Sequence, residues 1–177
     1  YNLDPVLTYD YMNCCDKIPQ LRVDEKYLIL YAYAGRISNE EADWIAAYAK
    51  KKNLKVYAIG GIQKCADRFV DCSPFEVLAY FRNADEVITD TFHGSIFSVI
   101  THRPFTTLIR KSVGNGYGNE EKLSDLLERL GLADRMTTKI EDTENINDKA
   151  IDYARVDELL KAHREVAKEY LRSNLEG

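Results

Sequence analysis

The sequence lacks the features that typify membrane-spanning, metal-binding and nucleic-acid-binding proteins. No apolar run approaches the roughly 18 residues expected of a membrane-spanning helix. The four cysteines form no C-x-x-C pair and the three histidines do not stand at zinc-ligand spacing, so we expect no bound metal. Acidic and basic residues are interspersed to a net charge of −5, without the basic stripe that nucleic acid requires. Because the chain begins at Tyr1 without a signal peptide, we expect a soluble part of a longer protein.

The residues that are present suffice for one domain with a sizeable core. The chain has 177 residues, of which 45% are hydrophobic. Apolar runs that predict buried strands alternate with amphipathic stretches that predict helices. Two of the helices begin with a capping box, in which Ser38 and Ser73 are the N-caps. The predicted strands cover residues 26–34, 54–60, 69–70, 86–90 and 104–109, and the predicted helices 39–52, 74–83, 92–102, 121–132 and 153–172.

The alternation of strands and helices predicts the fold class, α/β. Short connections indicate a parallel sheet covered on both faces, and right-handed crossovers restrict it to a Rossmann-like doubly wound domain. We assign this domain to residues 26–177, where it ends in a long C-terminal helix. Residues 1–25 predict no regular element beyond a turn within residues 9–16.

The break between the strand at 86–90 and the following helix carries the candidate site. In a doubly wound sheet, ligands bind at the carboxyl ends of the strands, where the helices present their N-termini. Thr91 is the expected N-cap, which would leave the amides of His93, Gly94 and Ser95 free to bind an anion. Glycine disfavours a helix by about 1 kcal/mol relative to alanine, so Gly94 suggests a close approach to the backbone.

His93 is the candidate catalytic residue of this turn. The helix dipole favours a neutral imidazole, whereas a bound phosphate or carboxylate would favour the charged, proton-donating form. His93 would then become an acid when its substrate binds. The alternative interpretation is that His93 only caps or packs at the turn, with Gly94 present to avoid crowding. The residues alone leave both interpretations open.

The segment VITDTFHGSIFSVITHRPF, residues 87–105, resembles the signature segment of the polysaccharide pyruvyl transferase family. In that segment a strand, a small hydroxyl residue, His-Gly and an apolar helix precede a Pro-Phe strand. Residues 3–8, LDPVLT, are similar to the segment that links the family's two domains. Similar stretches also occur at residues 73–90, 123–135 and 163–171, so the resemblance extends over nearly the whole chain.

The resemblance implies a two-domain enzyme of glycosyltransferase-B-like architecture. This chain would be its C-terminal, donor-binding half, with residues 1–25 as the inter-domain linker. The family transfers a pyruvyl group from phosphoenolpyruvate to sugar hydroxyls and forms a ketal, in bacterial exopolysaccharide or cell-wall glycan synthesis. The implied partners are phosphoenolpyruvate, a glycan or lipid-linked sugar acceptor and the missing N-terminal domain, with no cofactor, membrane span or nucleic acid. The implied location is the cytoplasm, at the inner membrane face, and we expect the isolated chain to be inactive.

Carried onto this sequence, the resemblance makes His93 the residue for donor binding and acid catalysis. Gly94 and Ser95 match the anion-binding amides, and Thr91 completes the substrate-binding turn. Some branches of the family carry Arg-Leu before the histidine, where this chain has Thr91-Phe92. The positive charge that faces the donor phosphate must therefore come from elsewhere. The candidates are Arg110, Lys111 and, as a lesser one, Arg36.

Other residues and other functions carry less weight. Asp90 would orient His93, take a sugar proton or cap the strand end, and His102 and His163 are interpreted as structural. The glycine-rich residues 114–118 lack the ending of a P-loop and are a candidate lid. A nucleotide-sugar glycosyltransferase of the same fold is one alternative, although the sequence shows no clear acidic ribose ligand. A non-catalytic binding module is the other.

Overall fold

A parallel sheet forms the centre of the part of the chain that the structure, a computed structural model, describes: residues 4–110 and 120–175. Its strands are β1 (Tyr27–Tyr31), β2 (Lys55–Ile59), β3 (Arg68–Phe69), β4 (Glu86–Thr89), β5 (Phe105–Leu108) and β6 (Met136–Thr137). They lie in the order β3-β2-β1-β4-β5-β6, and every neighbouring pair is parallel. This order, which reverses direction between β1 and β4, is that of a doubly wound sheet. The predicted α/β fold class is confirmed.

Eight α-helices are present among the described residues. Both predicted capping boxes are confirmed: Ser38 and Ser73 each accept a hydrogen bond from the amide of a glutamate three residues on, Glu41 and Glu76, which accepts one in return. The helices are α1 (Pro5–Thr8), α2 (Tyr11–Cys14), α3 (Asn39–Lys52), α4 (Pro74–Asn83), α5 (Phe92–Ile100), α6 (Glu120–Arg129), α7 (Thr143–Asn147) and α8 (Tyr153–Leu175). None of the helices in the described ranges combines the length and the apolar character that crossing a membrane requires.

The core has two parts, one on each face of the sheet. Along β1, Tyr27 and Ile29 belong to one apolar cluster, whereas Leu28 and Leu30 belong to the other. This alternation follows from the two-residue period of a strand. The first cluster is covered by α4, α5, α6 and α8, and the second by α3. Because both faces are covered, the strands contain continuous apolar runs.

Helix α5 ends two residues earlier than predicted. His102 adopts a left-handed backbone conformation, with φ of 56°, and donates from its amide to the carbonyl of Val99 at 3.1 Å. The next amide, of Arg103, donates to the carbonyl of Ser98 at 3.0 Å. These two bonds form a Schellman motif, which closes the helix. The prediction that His102 continues the helix is therefore wrong, because this motif needs a residue in the left-handed region at that position.

The N-terminal segment contains a helix that the sequence analysis missed. Helix α1 lies on the core, with Leu7 fully buried, and the Leu7 carbonyl accepts a 2.7 Å hydrogen bond from Nε of Arg164 on α8. The segment is thus packed on the domain. That residues 1–25 link two domains stays a prediction.

Helix α8 buries apolar side chains near its beginning and exposes those further along. Val156 and Leu160, near its beginning, are buried. Val166, Tyr170 and Leu171, further along, are more than half exposed.

Candidate functional site

The candidate residues lie at the carboxyl edge of three adjacent strands. Arg36 follows β1, the turn at residues 90–93 follows β4, and Arg110 follows β5. Because β1, β4 and β5 are parallel neighbours, their carboxyl ends lie side by side. The fold therefore places these residues at the edge where doubly wound sheets bind ligands.

Thr91 is the N-cap of α5, as predicted. Its Oγ1 accepts a 2.9 Å hydrogen bond from the amide of Gly94, and its carbonyl accepts one of 3.2 Å from the amide of Ser95. The prediction that the amides of Gly94 and Ser95 are free is therefore wrong, because the cap and the first helical bond use both. In the first turn of α5, the cap does not engage the amides of Phe92 and His93.

Gly94 lets the first turn of α5 pack closely on β4. A Cβ atom at this position would lie 2.1 Å from Oγ1 of Thr89 and 2.8 Å from Oγ1 of Thr91. The predicted close approach exists, but it is made by the protein's own Thr89 side chain. The Thr89 hydroxyl itself donates to the Tyr31 carbonyl at 2.7 Å and accepts from the Thr91 amide at 3.0 Å. Gly94 thus has a packing function, which was the alternative interpretation.

Ser95 fastens α5 to the neighbouring strand. It is fully buried, and its Oγ donates to the Thr91 carbonyl at 3.1 Å and shares a 2.9 Å hydrogen bond with Oγ1 of Thr107 on β5. Its amide and hydroxyl therefore both have partners inside the protein. Its function in substrate binding stays a prediction.

His93 lies at the second position of α5 and is the exposed group of the turn. Its side chain is 47% exposed, and its ring lies near the ring of Phe97, with centroids 6.0 Å apart. Its Nε2 lies 4.0 Å from Oδ2 of Asp4, in the segment before α1. An imidazole held at a helix N-terminus and open on one side is suited to bind an anion and exchange a proton with it.

Of the predicted basic residues, Arg110 lies at Asp90, and the charge of Arg36 also acts on that carboxyl. Asp90 is fully buried, and Nε of Arg110 lies 3.7 Å from its Oδ2. Burial raises the pKa of Asp90 above its usual value, although the charges of Arg110 and Arg36 act in the opposite direction. The Arg36 guanidinium also stacks over the Tyr33 ring, 4.5 Å from its centroid. Asp90 is therefore part of a charged cluster with these arginines.

Arg110 is also bound by Glu41 on α3. Nη1 of Arg110 donates to Oε1 of Glu41 at 2.6 Å, and Nη2 donates to Oε2 at 3.1 Å. Burial opposes the ionisation of Glu41, but the bonds from Arg110 and the Ser38 amide lower the pKa of Glu41 below its usual value. The predicted donor ligand is thus already neutralised by the protein. The other predictions, Lys111 and the lid at residues 114–118, lie outside the described residues.

Three residues near the site were missed by the sequence analysis. Lys122, on α6, holds its Nζ 3.9 Å from the ring centroid of Phe92, the first residue of α5. Asp4 faces His93, and Glu41, recognised only as a capping residue, binds Arg110. In the sequence, Asp4 before Pro5 resembles a helix N-cap, and nothing in its spacing indicates a histidine partner.

Solved structures that are similar to this chain include glycosyltransferases. The structure described as the glycotransferase of kitacinnamycin matches with a TM-score of 0.55 at 12% identity, over 90% of this chain and 46% of that one. The glycosyltransferase SnogD from Streptomyces nogalater matches with a TM-score of 0.43 at 12% identity, over 87% of this chain and 42% of that one. The chain thus spans less than half of either structure. At this identity, the first likeness shows the fold alone, and it agrees with the predicted glycosyltransferase-like architecture.

Comparison of sequences gives a family. No curated protein matches the chain. The sequence model of the family described as polysaccharide pyruvyl transferase matches residues 3–112, which is more than half of the chain. The matched residues include the capped turn of His93, its partner Asp4 and the cluster of Asp90, Arg110 and Glu41. The chain therefore belongs to the polysaccharide pyruvyl transferase family.

Proposed function

We propose that the chain is the donor-binding part of an enzyme that transfers a pyruvyl group from phosphoenolpyruvate to two sugar hydroxyls and forms a ketal. The observation that carries the proposal is the position of His93. It is half-exposed at the N-terminus of α5, at the carboxyl edge of the sheet, inside the segment that the family model matches. Its partners at the turn leave the ring accessible to an anionic substrate.

In the proposed reaction, His93 acts as the general acid. It donates a proton to the methylene carbon of phosphoenolpyruvate, and the adjacent carbon becomes an oxocarbenium-like centre. One sugar hydroxyl attacks this centre, and the bond between carbon and the phosphate oxygen breaks. A second hydroxyl of the acceptor attacks the same carbon and closes the ketal. One hydroxyl proton replaces the proton that His93 gave, the other leaves with the phosphate, and no cofactor is required.

The donor carries a phosphate and a carboxylate, so it needs positive charge near His93. Arg110 lies at the adjacent strand end, but its guanidinium already binds Glu41. The ammonium of Lys122 lies over the ring of Phe92, the residue before His93, and makes no ion pair within the described residues. We therefore add Lys122 to the proposed donor ligands Arg110, Lys111 and Arg36.

The rest of the proposed function concerns parts of the enzyme beyond the donor site. A glycan or lipid-linked sugar binds as acceptor, largely to an N-terminal domain outside this chain. Because half of the cleft is then absent, the isolated chain binds the donor without completing the transfer. The reaction belongs to exopolysaccharide or cell-wall glycan synthesis, in the cytoplasm at the inner membrane face.

Calorimetric titration of phosphoenolpyruvate into the chain tests the proposal. We expect His93→Ala to weaken binding about tenfold or more, because a hydrogen bond to a charged group contributes about 1.5–3 kcal/mol. His102→Asn is the matched control, since asparagine tolerates the left-handed backbone of that residue and should leave binding unchanged.

Two outcomes would overturn the proposal. Binding of UDP- or GDP-sugars in place of phosphoenolpyruvate would indicate glycosyl transfer. Binding of neither donor class would indicate a module that kept the fold without the chemistry.

A further inference from the structure

The two carboxylate oxygens of Asp4 face different groups, the beginning of helix α1 and the ring of His93. Oδ1 accepts a 2.9 Å hydrogen bond from the amide of Val6 and so caps α1. Oδ2 lies 4.0 Å from Nε2 of His93, which is within ion-pair distance but longer than a hydrogen bond. The side chain of Asp4 is only 19% exposed. The carboxylate is therefore held by one oxygen and faces the imidazole with the other.

The segment that carries Asp4 is anchored independently of His93. Leu7 is fully buried in the core, and its carbonyl accepts the 2.7 Å hydrogen bond from Arg164 of α8. The Asp10 carboxylate lies 3.5 Å from Nη1 of the same arginine. Two contacts to one arginine thus fix the segment on α8. Asp4 is a fixed partner for the imidazole.

We propose that Asp4 positions His93 for proton transfer, an inference that rests on the proposed function. The carboxylate attracts the N–H of Nε2 and so selects the tautomer that carries its proton there. The other nitrogen, Nδ1, is then the one that faces the donor. The negative charge of Asp4, 4.0 Å from Nε2, also attracts the ring during the step in which both of its nitrogens carry a proton. Within the described residues, Asp4 is the carboxylate at ion-pair distance from His93.

The assignment of the two nitrogens completes the proton path. Nδ1 carries the proton that moves to the methylene carbon of phosphoenolpyruvate. Nε2 keeps its own proton throughout, directed at Asp4, so the neutral imidazole that remains is the tautomer that the carboxylate stabilises. A hydroxyl proton of the acceptor then returns to Nδ1. Asp4 is neither protonated nor bound to the substrate at any step.

The side-chain ¹⁵N NMR signals of the histidines test this inference. In Asp4→Asn we expect the two ring nitrogens of His93 to change their signals at neutral pH, because the charge is lost. The fold should persist, since asparagine is as good an N-cap as aspartate and keeps the bond to Val6. Asp16→Asn, at an exposed position further along the N-terminal segment, is the matched control and should leave His93 unchanged. Asp157→Asn is the positive control: it should change His102, whose Nε2 lies 2.9 Å from Asp157.

Addition of phosphoenolpyruvate separates a positioning function from a structural one. In the native chain, the donor should bring His93 to the signature in which both ring nitrogens are protonated. In Asp4→Asn, the donor should still bind, but a smaller fraction of His93 should show both ring nitrogens protonated. Asp4→Glu, which restores the carboxylate, should recover part of that fraction.

Each outcome bears on one proposal. Signals of His93 that stay the same in Asp4→Asn, with and without donor, would overturn the function of Asp4, even if His93→Ala abolishes donor binding. Signals that change in a chain that binds no phosphoenolpyruvate would overturn the proposed function and leave the pair of Asp4 and His93 intact.

Discussion

The Arg110 guanidinium holds the Glu41 carboxylate by two hydrogen bonds, of 2.6 Å and 3.1 Å. The same carboxylate accepts a 2.9 Å bond from the amide of Ser38 and closes the capping box of α3. One side chain therefore joins the beginning of α3 to the end of β5. Arg110 also lies 3.7 Å from buried Asp90, so its positive charge faces two carboxylates, those of Glu41 and Asp90.

Glu41→Gln should destabilise the protein by about 2 kcal/mol near neutral pH, because a hydrogen bond to a charged group is lost. Glutamine still completes a capping box, so the lost free energy of unfolding measures the contribution of the Glu41 charge. Because the pKa of Glu41 is lower in the folded protein than its usual value of 4.5, the ionised side chain stabilises the protein above pH 4.5. This contribution disappears as the pH falls from 4.5 through the folded pKa. Urea unfolding at several pH values should show the difference between native and variant proteins shrinking below pH 4.5.

The second capping box supplies the control for Glu41. Glu76 caps α4 in the same way as Glu41 caps α3, and makes no ion pair within the described residues. Glu76→Gln should therefore change the free energy of unfolding by less than about 0.5 kcal/mol. Equal losses in the two variants would show that the Arg110 pair adds nothing beyond the cap.

Gly94→Ala should destabilise the protein by about 3 kcal/mol or prevent folding, because the new methyl group overlaps Thr89 and Thr91. In an open helix the same change would stabilise by about 1 kcal/mol, so the sign alone is informative. Thermal unfolding measures the effect. Gly35→Ala is the control: its φ is 79° but the space around it is open, so we expect a cost of only about 1–2 kcal/mol.

A second variant decides whether Thr89 is the cause of the overlap. Thr89→Ala removes Oγ1, the atom nearest to the added methyl group. In a double-mutant cycle the two changes should then cost less together than the sum of the single losses, by about 0.5–3 kcal/mol. Strictly additive losses would contradict the packing explanation for Gly94.

The sequence predicts the regular part of this fold well, and the reason is local. The strands at β1, β2, β4 and β5 are continuous apolar runs, and both capping boxes lie within four residues of chain. The two-residue strand β6 and the short helices α1 and α7 were missed. Elements this short have no period to detect, and they form because tertiary contacts hold them.

The candidate site was predicted in its position but not in its pairings. Strand order places Arg36, Asp90 and Arg110 at one edge, as the alternating pattern implies. Which carboxylate binds which cation depends on the packing of α3 and α1, which sequence spacing does not specify. For this reason, Arg110 was expected to be available to a ligand, and the contact between Asp4 and His93 was not foreseen.

Tyr48→Phe should destabilise the protein by about 2 kcal/mol at neutral pH, because it removes a hydrogen bond to a buried charge. The Tyr48 hydroxyl donates to Oε2 of Glu86 at 2.5 Å, and the same oxygen accepts from Asn147 at 2.9 Å. Burial and this bond raise the pKa of Tyr48, so its contribution should be lost as the pH rises above the usual value of 10. Denaturant unfolding measures it, with Tyr170→Phe as an exposed control that should leave stability unchanged.

Arg135→Met should destabilise the protein by about 3 kcal/mol, because it leaves the buried carbonyl of Ile146 and the partly buried carbonyls of Lys149 and Ala150 without their donor. Arg135 is 1% exposed, and its Nη1 donates to the carbonyls of Ile146 at 2.7 Å and Lys149 at 3.0 Å, while Nη2 donates to that of Ala150 at 3.3 Å. Methionine fills a similar volume, so the loss measures the hydrogen bonds rather than a cavity. Arg135→Lys keeps the charge but not the planar fork, so chemical denaturation should place it between the native protein and Arg135→Met. A lysine variant as unstable as the methionine variant would mean that the fork geometry, and not the charge, holds the segment after α7.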